Sequence, residues 1–211
     1  MGIARVMKTL RPCTALATAL LTTWLTTGPA PAAGASARSA LEQLTVQPAS
    51  ARILARYDRA KFMTGWRREG TEGCDTRQTV LIRDDRSPGS GGCGDATGLW
   101  HSPYDDRTLT NSAEIDVDHV VPLANAWISG AWRWSPARRH AFAHDLTRPE
   151  LVVVSESVNL AKGGRSPANW RPPARGYWCA YARDWITVKH HYDLSVTRRE
   201  KAALRVMLHT C

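Results

Sequence analysis

Leu151-Val-Val-Val154 is an aliphatic run followed at once by Ser155, and the stretch after it closes on Gly163-Gly164. The β-branched run predicts a buried strand. Ser155 or Ser157 can open a helix by accepting from its first amides, and the glycine pair ends it. The chain must therefore pass from strand to short helix with almost no connection. Asn159 and Lys162 lie three apart on that helix and so share a face. Upstream, Asp116-Val-Asp-His-Val-Val-Pro122 reads as a second strand. Laid against the first as a hairpin-like pair, it would set Asp118 across from Asn159.

These residue types suit hydrolysis of a phosphodiester, which needs an activated water and charge stabilisation at phosphorus. A histidine is neutral near physiological pH and can take the proton from water, which casts His119 as general base. Asp118 is a hard oxygen ligand, and Asn159 adds a neutral carbonyl oxygen; together they suit Mg²⁺ or Mn²⁺. Lys162 could meet a phosphate, and Arg165 just beyond it could do the same. Arg77, close to Cys74, is a further candidate for substrate contact, and Asp116 shares the strand face of Asp118 as a supporting carboxylate. A bare Asp-His pair is more often a surface or packing pair than a site. Its continuation as Val-Val-Pro-Leu and the spaced Asn-x-x-Lys are what set this one apart. One tension is built in: consecutive strand residues face opposite ways, so Asp118 and His119 reach one phosphate only if the strand ends or twists there. Pro122 makes an early end natural.

The remaining chain reads as mostly helical. Residues 38 to about 65 suggest helix, with a fresh start after Pro48 capped by Ser50 and a face of Ile53, Leu54 and Tyr57. Thr79-Val-Leu-Ile82 reads as a short strand and Ser87-Pro-Gly-Ser-Gly-Gly92 as a loop. Ser135-Pro136 opens a helix running through Phe142 toward Leu146. Another spans about Cys179 to Tyr192, and Thr197-Arg-Arg-Glu200 is a capping box for a last helix with a Leu204, Met207, Leu208 stripe. The tryptophans at 127, 132, 134, 170, 178 and 185 could stack on bases but fit packing better. His140 and His144, and the pair His190-His191, read as ordinary helix and solvated residues.

Residues 1–37 have the form of a signal peptide. Arg5, Lys8 and Arg11 precede the apolar stretch Thr14–Thr27, and Ala35-Ser36-Ala37 is a small-x-small cleavage point. Removing the leader takes Lys+Arg from 28 to 25 against 19 Asp+Glu, leaving about +6, a balance compatible with a polyanionic partner. Residues 38–211 then suit one domain with its own core. They carry four cysteines, Cys74, Cys93, Cys179 and Cys211. An even number in an exported chain argues for two disulfides. Three pairings are possible; Cys74–Cys93 with Cys179–Cys211 closes two moderate local loops. With no Cys-x-x-Cys knuckle, a zinc site fits poorly.

Asp116–Pro122 together with Asn159-x-x-Lys162 resembles the HNH (His-Me finger, ββα-metal) endonucleases. The run from Asp118 to Trp132 is similar to an exported branch related to the C-terminal domain of GmrSD restriction endonucleases. The likeness extends through Cys74-Asp-Thr-Arg77, Arg139, Phe142-Ala143, Asp145-Leu146, Ser166-Pro167, Trp170, Pro172-Pro173 and Cys179-Ala-Tyr-Ala-Arg183 with Trp185, covering most of residues 50–211. It implies an α+β fold, a ββα-metal core embedded in a mostly helical, disulfide-stapled single domain. It further implies a secreted endonuclease acting on DNA, with His119 as base and a divalent ion on Asp118 and Asn159. Two departures stand out: Lys162 replaces the final histidine of many HNH proteins, which favours Mg²⁺ over zinc, and His144 stands where this branch has Asn. Two other functions suit the same sequence, a secreted module that binds DNA or another polyanion without cutting it, and a nuclease directed at RNA.

Overall fold

Asp75 and Gln78 cap each other's amides, and that reciprocal box starts a helix where a strand was expected. Asp75 Oδ1 accepts from Gln78 N at 2.7 Å and Gln78 Oε1 accepts from Asp75 N at 2.8 Å. Helix α3, Thr76–Asp84, follows and absorbs Thr79–Ile82. The β-branched pattern loses because Val80 and Leu81 are one turn-face of a helix, buried against a neighbouring strand pair. The stretch from 38 to about 65 is also more broken than expected. Helix α1 is Ala33–Gln43 and α2 only Ala51–Leu54, capped by Ser50. Asp58 then caps a 3-10 turn, Arg59–Lys61, leaving Tyr57 outside any helix and Leu54 exposed.

The computed structural model describes residues 1–2, 33–66, 73–87, 92–94 and 97–211, with side chains of α1 from residue 36 onward. Most of the expected leader, and residues 88–91 of the expected loop, lie outside the described residues. Strands β1, Thr97–Ser102, and β2, Arg107–Asn111, form one antiparallel pair. Strands β3, Ile115–His119, and β4, Leu151–Ser155, form another, in register from Ile115 opposite Ser155 to His119 opposite Leu151. Between them lie α4, Leu123–Ile128, and α5, Pro136–Ala143, the latter with Ser135 as cap and proline at its start as expected. Helix α6, Glu156–Lys162, leaves β4 directly: Ser155 caps it and Gly163, at φ 50°, closes it in a conformation glycine adopts without strain. Helices α7, Trp178–His191, and α8, Arg198–Leu208, complete the chain, α8 opening with the expected capping box.

Pro31–Cys211 forms one compact unit. Its larger core gathers Leu41, Phe142, Tyr181, Trp185, Leu204 and Met207 from α1, α5, α7 and α8. A smaller one holds Val80, Leu81, Trp100 and Leu109 against Ile115, Val117, Leu151 and Val153. The β3–β4 pair separates the two, because its alternate residues face opposite ways. Cys74 is bonded to Cys93 and Cys179 to Cys211, the expected pairing. Trp185 is fully buried, Trp127 nearly so and Trp132 exposed. No described helix is long and apolar enough to cross a membrane.

Candidate active site

β3 runs regularly to its last residue, and this decides how the expected site residues fall. Asp116 and Asp118 point to the face covered by α6, and His119 points to the other. On the α6 side, Asn159 Nδ2 donates to Asp116 Oδ2 at 2.9 Å. Lys162 Nζ donates to Asp118 Oδ1 at 3.0 Å, lies 2.7 Å from Asp118 Oδ2, and donates to the carbonyl of His119 at 2.7 Å. Tyr104 donates its hydroxyl to Asp118 Oδ2 at 2.7 Å. Lys162 is fully buried and Asp118 nearly so. The expected reach of Lys162 to a surface phosphate is therefore not what the fold provides. Its ammonium is an internal cation held by three oxygens. Burial pushes the Asp118 carboxyl upward against the opposing pull of Lys162 and Tyr104.

His119 closes β3 with its ring on the opposite face, 5% exposed. Trp66 stacks on it at 5.7 Å with planes 8° apart. Its Nε2 lies 3.0 Å from the carbonyl of Ala143. A carbonyl only accepts, so Nε2 carries the proton and Nδ1 is the basic nitrogen. Burial lowers the ring's pKa to about 3, with the Ala143 bond opposing and Arg59, Lys162 and His144 adding to the fall. The imidazole is thus neutral at physiological pH and fixed in one tautomer.

The residues that hold this end of the strand in place were not singled out in the sequence. The carbonyl of Glu150 accepts from Val120 N at 2.7 Å, and its carboxylate from Val121 N at 3.1 Å. Burial pushes that carboxyl well above the usual range, against the opposing pull of the Val121 amide and the Lys162 charge. Glu150 precedes the aliphatic run directly, but nothing local distinguishes it from a surface glutamate. Tyr104 and Trp66 likewise come from distant segments with no pattern linking them to Asp118 or His119. His144, for which no role was set, meets Thr76 Oγ1 through Nδ1 at 2.9 Å.

Arg77 is brought near but serves the framework, donating to the carbonyls of Ser112 and Ile115 at 3.0 Å each at the entry to β3. Arg165 is exposed and bonds back to the carbonyl of Ala161. Among the described residues no three His, Cys, Asp or Glu side chains converge as a metal cluster. A divalent ion would have to rest on one carboxylate with amide and carbonyl oxygens. The oxygens around Lys162 are hard donors of that kind, so the site favours a cation, and Lys162 itself supplies one. An ion at Asp118 would have to take the place of that ammonium. The Asn159 amide, with its nitrogen turned to Asp116, keeps its oxygen as the acceptor.

Residues 96–207 match the GmrSD restriction endonucleases, C-terminal domain, and the chain belongs to that nuclease-related family. A protein of Arthroderma benhamiae described as "Uncharacterized secreted protein" is 48% identical over 177 residues, covering 83% of this chain and 85% of that one. No solved structure matches.

Proposed function

We propose that this protein is an exported, metal-dependent endonuclease of the HNH type that hydrolyses phosphodiester bonds in DNA. The observation that carries the reading is the state of His119: neutral, its Nε2–H committed to Ala143, its Nδ1 left as a base. Neutrality is the protonation state a general base needs, and water reaching the ring would restore its basicity toward the ordinary value. His119 is also the last residue of β3, so its carbonyl belongs to the Lys162 cluster while its ring lies on the far side. The proposal places the substrate across this strand end, with Trp66 giving way for water to reach the ring.

Asp118 and Asn159 are proposed to hold Mg²⁺ or Mn²⁺, with Asp116 orienting Asn159. A bound ion would supply positive charge at the phosphoryl oxygens. Family membership supports a nuclease acting on nucleic acid. Export is supported by the relative described as secreted, by the two disulfides, and by the leader-like residues 1–37.

The test is cleavage of supercoiled plasmid DNA by the purified protein with Mg²⁺ or Mn²⁺, with and without chelator, beside His119→Ala. The expected outcome is nicked and linear DNA from wild type, a loss of at least about 100-fold in rate for the variant, and arrest by chelator. Equal, intact plasmid in every lane would overturn the reading. Cleavage of RNA alone would redirect it to an RNA substrate.

A further inference from the structure

The chain forms a groove of about 1150 Å³. Two of the stretches that line it leave the proposed site directly. One is α4, through Asn125 and Ile128, which begins four residues after His119; the other is the segment Gly164–Asn169, which follows the end of α6. Gln47 and its neighbours and the first turns of α8 supply the rest.

The charge of this lining is one-sided. Arg165, Arg198, Arg199, Lys201 and Arg205 all contribute, against a single carboxylate, Glu200. Glu200 is 1% exposed and already held by the Lys189 ammonium at 2.6 Å and the Trp185 indole at 2.7 Å, so it offers nothing to neutralise the groove. Lys201 and Arg205 are engaged by Glu42. Arg165, Arg198 and Arg199 remain: all three are exposed, and among the described residues no carboxylate pairs with them. Uncompensated guanidinium groups around a concave surface concentrate a positive potential, and the planar fork of arginine matches phosphate oxygens.

We propose that this groove is the track of the nucleic-acid backbone toward the cleavage centre, with Arg165, Arg198 and Arg199 on successive phosphates. The inference rests on the nuclease reading for what lies at the end of the track. Its own content, the binding surface, is separately testable.

Binding of a fluorescently labelled 20-base-pair duplex is measured by anisotropy in chelator at several salt concentrations, with duplex integrity checked on a gel. The variants are Arg198→Glu/Arg199→Glu and a charge-matched control, Arg56→Glu/Arg107→Glu, whose residues are exposed and outside the groove. Glutamate is favoured in the first turn of a helix, so the α8 variant keeps its fold, which circular dichroism verifies. The expected result is a Kd at least about 10-fold weaker for the groove variant and a salt slope lower by about 2, near 0.9 for each lost phosphate contact. The control should weaken Kd by no more than about 3-fold. Equal losses in the two variants, or no duplex binding by wild type, would overturn the groove. A protein that binds through the groove yet never cuts plasmid would sink the nuclease reading and leave the groove standing. A groove variant that binds like wild type while His119→Ala stops cutting would do the reverse.

Discussion

The ring of His119 stays neutral because burial under Trp66 strips it of water, and that has a cost in acid. Its folded pKa of about 3 lies below the ordinary 6.5, so between those values the unfolded chain binds a proton that the folded one refuses. Stability from this residue is complete above pH 6.5 and declines as the pH falls toward 3. At pH 5 the loss relative to pH 7 is about 2 kcal/mol. Urea denaturation at the two pH values should show that difference in wild type and a flatter dependence in His119→Gln. The same slope in both would place the acid sensitivity elsewhere. On the α6 side, Lys162 leaves Asp118 uncompensated if removed. Lys162→Met should cost about 3–5 kcal/mol in metal-free buffer. If the ion binds at Asp118, millimolar Mn²⁺ should recover part of that loss in the variant and add less to wild type. No recovery would argue that the ion does not sit there. In sequence, Lys162 reads as a contact for phosphate; its burial depends on Asp118 facing it from another element, which spacing along one helix does not report.

Among the elements, the strand–helix passage Leu151–Lys162 was legible because each of its signals is local: an aliphatic run, a serine cap and a glycine stop. α8 was legible for the same reason. α3 was misread although its own cap was present, Asp75-x-x-Gln78, and the β-branched Thr79-Val80 drew the weight instead. The cap makes a prediction. Asp75→Ala removes the oxygen that accepts from Gln78 N and should lower stability by about 1 kcal/mol in chemical denaturation, with loss of helical signal confined to a few residues. An unchanged midpoint would mean that packing of Val80 and Leu81 alone fixes the helix. The frame around the site, Tyr104 on Asp118, Glu150 on the turn after His119 and Trp66 on its ring, was not legible, since each contact joins segments far apart in sequence.

Over the whole molecule, the two bridges tie the parts that local signals leave loose. Cys74–Cys93 anchors the approach to α3 and closes a separation of 19 residues. Cys179–Cys211 fastens the last residue to the start of α7 across 32. An even count in an exported context, and the moderate local loop each pair closes, made the pairing legible before any contact was known. Loop-closure entropy puts each at about 3–4 kcal/mol, and their distance along the chain makes them nearly additive. About 7 kcal/mol is a large share of the roughly 5–15 kcal/mol that holds a folded domain. Reduction should therefore lower the melting temperature by about 15–25 °C for a chain of this size. Scanning calorimetry with and without a phosphine reductant reads this directly, and Cys179→Ala/Cys211→Ala should reproduce about half of the shift. A melting temperature indifferent to reductant would mean that the two cores carry the fold unaided. A fall of the expected size would tie folding to compartments where thiols stay oxidised, in keeping with the relative described as secreted.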